Sequence, residues 1–384
     1  MTAQTKVTPS PLQEEVAAQV LPDADEAAGA FEVSVNSAPA SDEEHAKAMS
    51  ELAFGECFTD HMVTMGWTPE GGWENREVQA FGPLDLLPSA AVLHYSQEIF
   101  EGMKAFRWQD GSVRVFRPGF NSARFNQSAR RMEMPEVPLE DFIGSLVALV
   151  RADKRWVPGA PNTSLYLRPF MIADESYIGV RPANSYLYSV IASPVGVYFK
   201  DGLAPVSIYV ADEHHRAAPG GTGAAKTGGN YSGSMLPQRL AAEQGYEQVC
   251  YLDPATNANL EELGGMNLFV VRKDGTALTP RLTGTILEGG TRSAIIQLLN
   301  DRGVEVHEQD IPLADLIEDI KNGDVTEMFA CGTAALITPI GRLGGSNFDV
   351  ELTESATAKD LLAELGAIQR GEVEDRHGWM YQVA

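Results

Sequence analysis

The sequence predicts a mixed α/β chain of two domains, α+β in its ordering, and three observations carry that expectation. Strand-like and helix-like runs follow one another irregularly, without the strict alternation that a doubly wound parallel sheet requires. At 384 residues the chain exceeds the ~250–300 residues at which a single core stops growing. The segment Phe199-Lys200-Asp201-Gly202-Leu203-Ala204-Pro205 sets glycine, proline and charge between two apolar runs, so a linker is expected at 200–205.

Residues 1–45 are expected to form an acidic, mobile arm, because Glu14, Glu15, Asp23, Asp25, Glu26, Glu32, Asp42, Glu43 and Glu44 are interleaved with alanine, proline and serine. Its early cation is Lys6 and it has no uninterrupted apolar run, so neither a secretory signal nor a transit peptide is expected. The first domain, 46–199, reads as short strands with two helices. Residues 113–116 alternate as a strand, 121–132 have helical spacing with Asn121 as N-cap, and 141–151 form a second amphipathic helix. The β-rich runs 165–171 and 186–191 flank a turn. In the second domain, 206–384, strands are expected at 206–210, 248–252, 267–272 and 327–330, and helices at 234–244, 291–302 and 313–322.

Composition excludes several classes of partner. A formal net charge of −24 argues against nucleic acid or an anionic membrane surface. No run approaches the ~18 apolar residues of a membrane span. Cys57, Cys250 and Cys331 are scattered without metal-like spacing, so we expect a reduced cytoplasmic protein, no metal, and cysteines that fill core.

The chemistry concentrates in Gly220-Gly221-Thr222-Gly223-Ala224-Ala225-Lys226-Thr227-Gly228-Gly229-Asn230-Tyr231. A lysine is a nucleophile only when unprotonated, so its site must depress its pKa by desolvation or by a nearby cation, for which Arg216 is a candidate. The glycines let the backbone approach a flat cofactor closely, which suits a Schiff base with pyridoxal 5'-phosphate. A P-loop is excluded because Ala225 stands where that motif needs glycine. Such a cofactor needs three further partners. Glu262, beside Gly264-Gly265, is a candidate for the ring nitrogen and equally a solvated turn acid. Gly289-Gly290-Thr291 opens a helix and offers backbone N–H groups to a phosphate. Gly332-Thr333-Ala334 is a small-residue turn suited to backbone donors or to tight packing.

In this order the pieces resemble the branched-chain amino acid aminotransferases of the class IV pyridoxal-phosphate family, from about Phe54 to about Gly345. The resemblance runs through Phe58-Thr59-Asp60-His61-Met62, His94-Tyr95-Ser96, Phe100-Glu101-Gly102-Met103-Lys104-Ala105, Leu165-Tyr166-Leu167-Arg168-Pro169, Pro194-Val195-Gly196-Val197-Tyr198-Phe199, the Lys226 segment, Gly264-Gly265-Met266-Asn267 and Gly332-Thr333-Ala334. It implies a smaller N-terminal α/β domain, a larger C-terminal domain with a β-barrel-like core, and reversible transamination in a homodimer. It also implies that Lys226 holds the cofactor, Tyr231 donates to its phenolate oxygen and Glu262 pairs with its ring nitrogen. Arg124, Gly290, Thr291 and Thr333 would hold the phosphate, with Arg216 nearby.

For the substrate, the resemblance implies an apolar wall of Phe54, Phe100, Tyr166 and Tyr198, with Tyr95, Ile178 and Val180 from the other subunit. Backbone N–H groups of Thr333 and Ala334 would take the α-carboxylate and Arg168 the distal carboxylate of glutamate. Lys104 competes for the cofactor, but no second glycine pair or downstream tyrosine accompanies it, and the resemblance implies that its counterpart is not the cofactor lysine. A D-amino acid aminotransferase or an aminodeoxychorismate lyase would share Lys226 and Glu262; a non-catalytic binding or regulatory protein on this fold would be free to lose them, and the intact set of Lys226, Tyr231, Glu262, Arg124 and Thr291 speaks against it. Some relatives carry a Cys-x-x-Cys pair after the Gly-Thr-Ala turn; here those positions are Ala335 and Thr338, so no such redox switch is expected.

Overall fold

A computed structural model describes residues 7–196 and 204–384. Tyr198 and most of the expected linker lie outside these residues. The chain divides into two compact units.

The first unit comprises residues 10–196, 225–228 and 366–384 of the described chain. Its elements are α1 (Pro11–Ala18), α2 (Ala24–Ala28), β1 (Glu32–Val33), α3 (Asp42–Glu51), β2 (His61–Thr68), β3 (Gly72–Ala80), α4 (Ala91–Tyr95), β4 (Glu98–Phe100), β5 (Met103–Arg107), β6 (Val113–Phe116), α5 (Pro118–Arg131), α6 (Leu139–Ala152), β7 (Ser164–Ala173) and β8 (Tyr186–Val195). Its sheet has nine strands in the path β1-β3-β2-β8-β7-β5-β6 and then the C-terminal strand, with β4 pairing β7. The inward faces of β2, β7 and β8 bury Val63, Met65, Leu165, Leu167 and Val190 against Leu146, Val147 and Val150 of α6 and Phe125 of α5. This is period-2 apolar spacing meeting period-3.6 spacing across one core.

Two expectations are corrected here. The helix expected from Asn121 starts earlier, at Pro118, whose fixed φ suits a first turn. Asn121 is therefore buried within α5 and is not its cap. Residues 10–45 do not stand apart as an arm. Ser10 caps α1 through Gln13 N–H, Leu12 packs with Phe120 and Ala123 of α5, and Glu15 pairs with Arg130 at 3.1 Å. At Gly144 of α6 a Cβ would collide with the Ala27 carbonyl, so α2 lies directly on that helix. The composition that looks disordered supplies small alanines and a few apolar anchors, Leu12 and Phe31 among them, to an existing surface.

The second unit holds residues 204–224 and 229–365, with residues 7–9. In chain order its elements are β9 (Val206–Ala211), α7 (Gly228–Ser232), α8 (Met235–Glu243), β10 (Gln248–Leu252), β11 (Leu260–Leu263), β12 (Asn267–Arg272), β13 (Ala277–Pro280), α9 (Gly290–Asp301), β14 (Val306–Gln309), α10 (Leu313–Asn322), β15 (Val325–Gly332), β16 (Leu336–Gly344), β17 (Asp349–Glu351) and α11 (Ala356–Gln369), whose last turn joins the first unit with β18 (Met380–Gln382). The nine-stranded sheet runs β11-β10-β9-β16-β15-β12-β13-β14, with β17 on β16. Parallel and antiparallel neighbours alternate irregularly along it, as the mixed order of elements predicts. Leu316 and Ile320 of α10 close its core over Leu268, Val270 and Ile340. Cys250 and Cys331 lie in this unit's interior, and burial pushes the Cys331 thiol up to about 12, which leaves it inert near neutral pH.

Candidate active site

The loop carrying Lys226 belongs with the first unit, although the residues on both sides of it belong to the second. The Phe100 N–H of β4 donates to the Lys226 carbonyl at 3.0 Å, and the Lys226 N–H donates to the Ser128 hydroxyl of α5 at 2.9 Å. The Lys226 Nζ stands 4.9 Å from the centre of the Phe100 ring. Strand alternation in β7 puts Tyr166 and Arg168 on one face. The Arg168 guanidinium donates to the Tyr166 hydroxyl from Nη2 at 2.9 Å and from Nε at 3.3 Å, and lies 4.7 Å from the Phe100 ring centre. Phe54 meets Tyr166 edge-on at 5.0 Å. A Cβ at Gly102 would run into the Tyr166 hydroxyl, so this position must be glycine for Tyr166 to reach Arg168. Phe54, Phe100, Tyr166, Arg168 and Lys226 are thus brought together as one aromatic surface with two cations.

Beneath it lies an ion pair that the sequence does not announce. Glu101 is fully buried and takes a two-pronged contact from Arg124, Nε at 2.6 Å and Nη2 at 2.8 Å, with the Asn121 amide at 2.7 Å. Arg124 is expected at a phosphate, yet two of its nitrogens serve Glu101. Burial by itself raises the Glu101 carboxyl, but Arg124, with smaller contributions from Lys226 and Asn121, holds it below the ordinary 4.5. Glu101→Gln leaves a buried guanidinium without its counter-charge, and we expect a loss of ~3 kcal/mol or more in urea unfolding. A carboxylate held low in the folded chain stabilises it above the unfolded value, and that contribution fades as pH falls through the folded one. The gap between wild type and variant should therefore be constant above about pH 5 and close on acidification.

Lys104, the competing lysine, is buried in β5 opposite Tyr166 of β7, and burial pushes its amine down to about 8. Of the residues expected from another subunit, Tyr95, Ile178 and Val180 are 39%, 64% and 87% exposed, and the Tyr95 hydroxyl donates to the Ile178 carbonyl.

In the second unit Glu262 is not a solvated turn acid. It is buried in β11 and accepts the Leu287 N–H at 2.7 Å, while its Oε1 lies 2.8 Å from Arg216 Nη1. Arg216, considered above as the cation that activates the lysine, is thus paired with Glu262. Its Nη1 also donates to the Thr285 carbonyl at 3.0 Å, and its buried Nε has no hydrogen-bond partner. A Cβ at Gly223 would strike the Thr285 backbone, which is one reason this run is glycine-rich. Tyr231 stands on α7 with its ring against Gly265. Helix α9 opens at Gly290 after Gly289, which carries no capping side chain, and Thr291 is buried in its first turn. At Gly289 the Asn267 amide oxygen occupies the place a Cβ would take. Thr333 and Ala334 lie half-buried in the turn between β15 and β16, which closes on the Gly332 and Leu336 pair.

Glu98, Glu101, Ser128 and Asn267 are participants that sequence reasoning missed. Glu101 and Asn267 stand inside motifs quoted above, but nothing in their spacing names their partners.

The amino-transferase class IV family model matches residues 98–343. A probable branched-chain-amino-acid aminotransferase of Streptomyces coelicolor is 49% identical over 92% of this chain and 99% of its own length. The branched-chain amino acid aminotransferase structure from Escherichia coli is similar, with a TM-score of 0.68 and 28% identity over 84% of this chain and 99% of that one. The branched-chain amino acid aminotransferase of Thermobaculum terrenum, solved in its PLP form, shares the fold at a TM-score of 0.67 and 20% identity, covering 85% of this chain and 98% of that one.

Proposed function

The chain belongs to the class IV aminotransferases and, within them, to the branched-chain amino acid aminotransferases, and from that premise we propose reversible transamination of leucine, isoleucine and valine with 2-oxoglutarate, giving branched-chain 2-oxo acids and glutamate. The protein is a transaminase whose cofactor is pyridoxal 5'-phosphate. The observation that carries the substrate reading is Arg168, held against the Tyr166 hydroxyl and the Phe100 ring. One pocket must accept an uncharged branched side chain and, in the other half of the cycle, a carboxylate. Aromatic rings supply the apolar surface for the first. A guanidinium parked on a tyrosine hydroxyl is available to the second.

The donor set fits the cofactor. A glycine-opened helix start at Gly290 and Thr291, with Thr333 of the same unit, suits its phosphate; Arg124, two of whose nitrogens serve Glu101, is assigned there from the resemblance. Glu262, kept in place by Leu287 N–H and Arg216, suits the ring nitrogen, with Tyr231 for the phenolate oxygen and Lys226 for the covalent bond. The unpartnered buried Nε of Arg216 marks a place where a further polar group is wanted. The bound group supplies an electron sink for the charge left when the substrate Cα loses its proton. Lys226 Nζ takes that proton and gives it back, Thr333 and Ala334 N–H groups hold the α-carboxylate, and the aromatic wall fixes the side chain and keeps water away. Phe54, Phe100 and Tyr166 form that wall, and Tyr95, Ile178 and Val180 complete it from the second subunit of a homodimer, for which their exposure is the support. No helix of the described residues is long and apolar enough to cross a membrane, and we place the enzyme in the cytoplasm.

Arg168→Met tests the dual-substrate reading. We expect it to slow the half-reaction with 2-oxoglutarate at least ~10-fold more than the half-reaction with L-leucine, since the former presents a distal carboxylate. Single-turnover rates for both substrates decide it, and equal losses would move Arg168 to the α-carboxylate or to the scaffold.

A further inference from the structure

We propose that Glu98 and Ser128 are positioning residues which clamp the peptide Lys226-Thr227-Gly228 at both ends and so set where the Lys226 amine stands. The clamp rests on the reading of Lys226 as the cofactor lysine, but its geometry is independent of it. At one end Ser128 is fully buried on α5, and its hydroxyl donates to the Arg124 carbonyl at 2.9 Å. With its proton so committed, the oxygen is left as an acceptor and takes the Lys226 N–H at 2.9 Å. At the other end the Glu98 carboxylate accepts the Gly228 N–H and, at 3.5 Å, approaches the Thr227 hydroxyl. Between them the Lys226 carbonyl accepts from Phe100 N–H of β4.

Three further facts support it. A Cβ at Gly228 would run into the Glu98 carboxylate, so glycine there is what lets the carboxylate close on the backbone. Burial pushes the Glu98 carboxyl up, while the Gly228 N–H, the Thr227 hydroxyl and the Arg168 charge pull it the other way. The loop is also a short insertion of residues 225–228 into the first unit from a chain that otherwise belongs to the second. A glycine-rich run has more conformations to lose than any other sequence, so its geometry depends on such side-chain contacts.

Hydrogen exchange on the full-length, cofactor-free chain tests this. In Glu98→Ala the amides of 226–228 should exchange at least about tenfold faster than in wild type, with α6 and β7 unchanged. Glu98→Gln keeps an accepting oxygen and should restore protection. On adding pyridoxal phosphate, the visible absorbance of the loaded enzyme should rise about tenfold more slowly in Glu98→Ala than in wild type or Glu98→Gln. Ser128→Ala is an independent arm that releases the Lys226 N–H alone, and it decides the matter should Glu98→Ala not fold. Unchanged exchange at 226–228 in both variants overturns the clamp, and so does faster exchange spread through the whole first unit. Lys226→Ala separates the two readings: visible absorbance persisting there would defeat the assignment of Lys226, while exchange at 226–228 would still judge Glu98 and Ser128.

Discussion

Lys226→Ala is expected to abolish transamination of L-leucine, by on the order of 10⁴-fold or more, while the protein keeps its fold. The two roles proposed for Lys226 would vanish together, the covalent attachment of the cofactor and the transfer of the substrate Cα proton. The fold should survive because the contacts made by this residue's backbone, to Phe100 and to Ser128, do not involve the side chain. The control is Lys104→Met. Burial pushes the Lys104 amine down to about 8, so it is more readily deprotonated than an ordinary lysine. It lies in a regular strand paired with β6 and β7, without the glycines that admit a flat ring. Its variant should therefore keep the visible absorbance of the bound cofactor that Lys226→Ala loses. Absorbance spectra and steady-state rates for both variants settle the assignment, and full activity in Lys226→Ala would end it.

Glu262→Gln should damage the protein in two separable ways. On the proposed assignment, loss of the carboxylate withdraws the charge that would keep the cofactor ring nitrogen protonated, worth ~2–4 kcal/mol in the transition state, or roughly 30- to 1,000-fold in rate. It also removes the counter-charge of Arg216, whose side chain is 1% exposed, and breaking a buried pair from one side costs about 3–5 kcal/mol of stability. The second effect needs no cofactor, so urea unfolding of the cofactor-free protein measures it alone. Arg216→Met combined with Glu262→Gln should recover part of that stability without recovering the rate. If Glu262→Gln leaves the single-turnover rate with L-leucine unchanged, the ring nitrogen has another partner.

Much of the architecture was legible because it rests on periodicity. Runs such as 248–252, 267–272 and 313–322 became β10, β12 and α10 with the same bounds, since burying an apolar face of period 2 or 3.6 leaves little freedom of assignment. Helix starts were less so. Asn121 has the chemistry of an N-cap, but Pro118 and the buried Glu101 together drew the helix start back to Pro118 and turned the amide inward. The acidic N-terminal stretch misled for a related reason: composition reports whether a segment can build its own core, and residues 10–45 instead lean on helices made elsewhere in the chain.

The sequence by itself determined the ordered motifs around Lys226, Glu262 and the Gly-Thr-Ala turn, and with them the family, because a glycine needed for close approach or an amine needed for chemistry leaves its mark at one position. Only the tertiary structure decided who partners whom. Arg216 belongs to Glu262, Arg124 to Glu101, and the Lys226 peptide to Ser128 and Glu98. Such pairings depend on which charges lose their water in the same place, and that is a property of strand register and helix packing, which no spacing along the chain records.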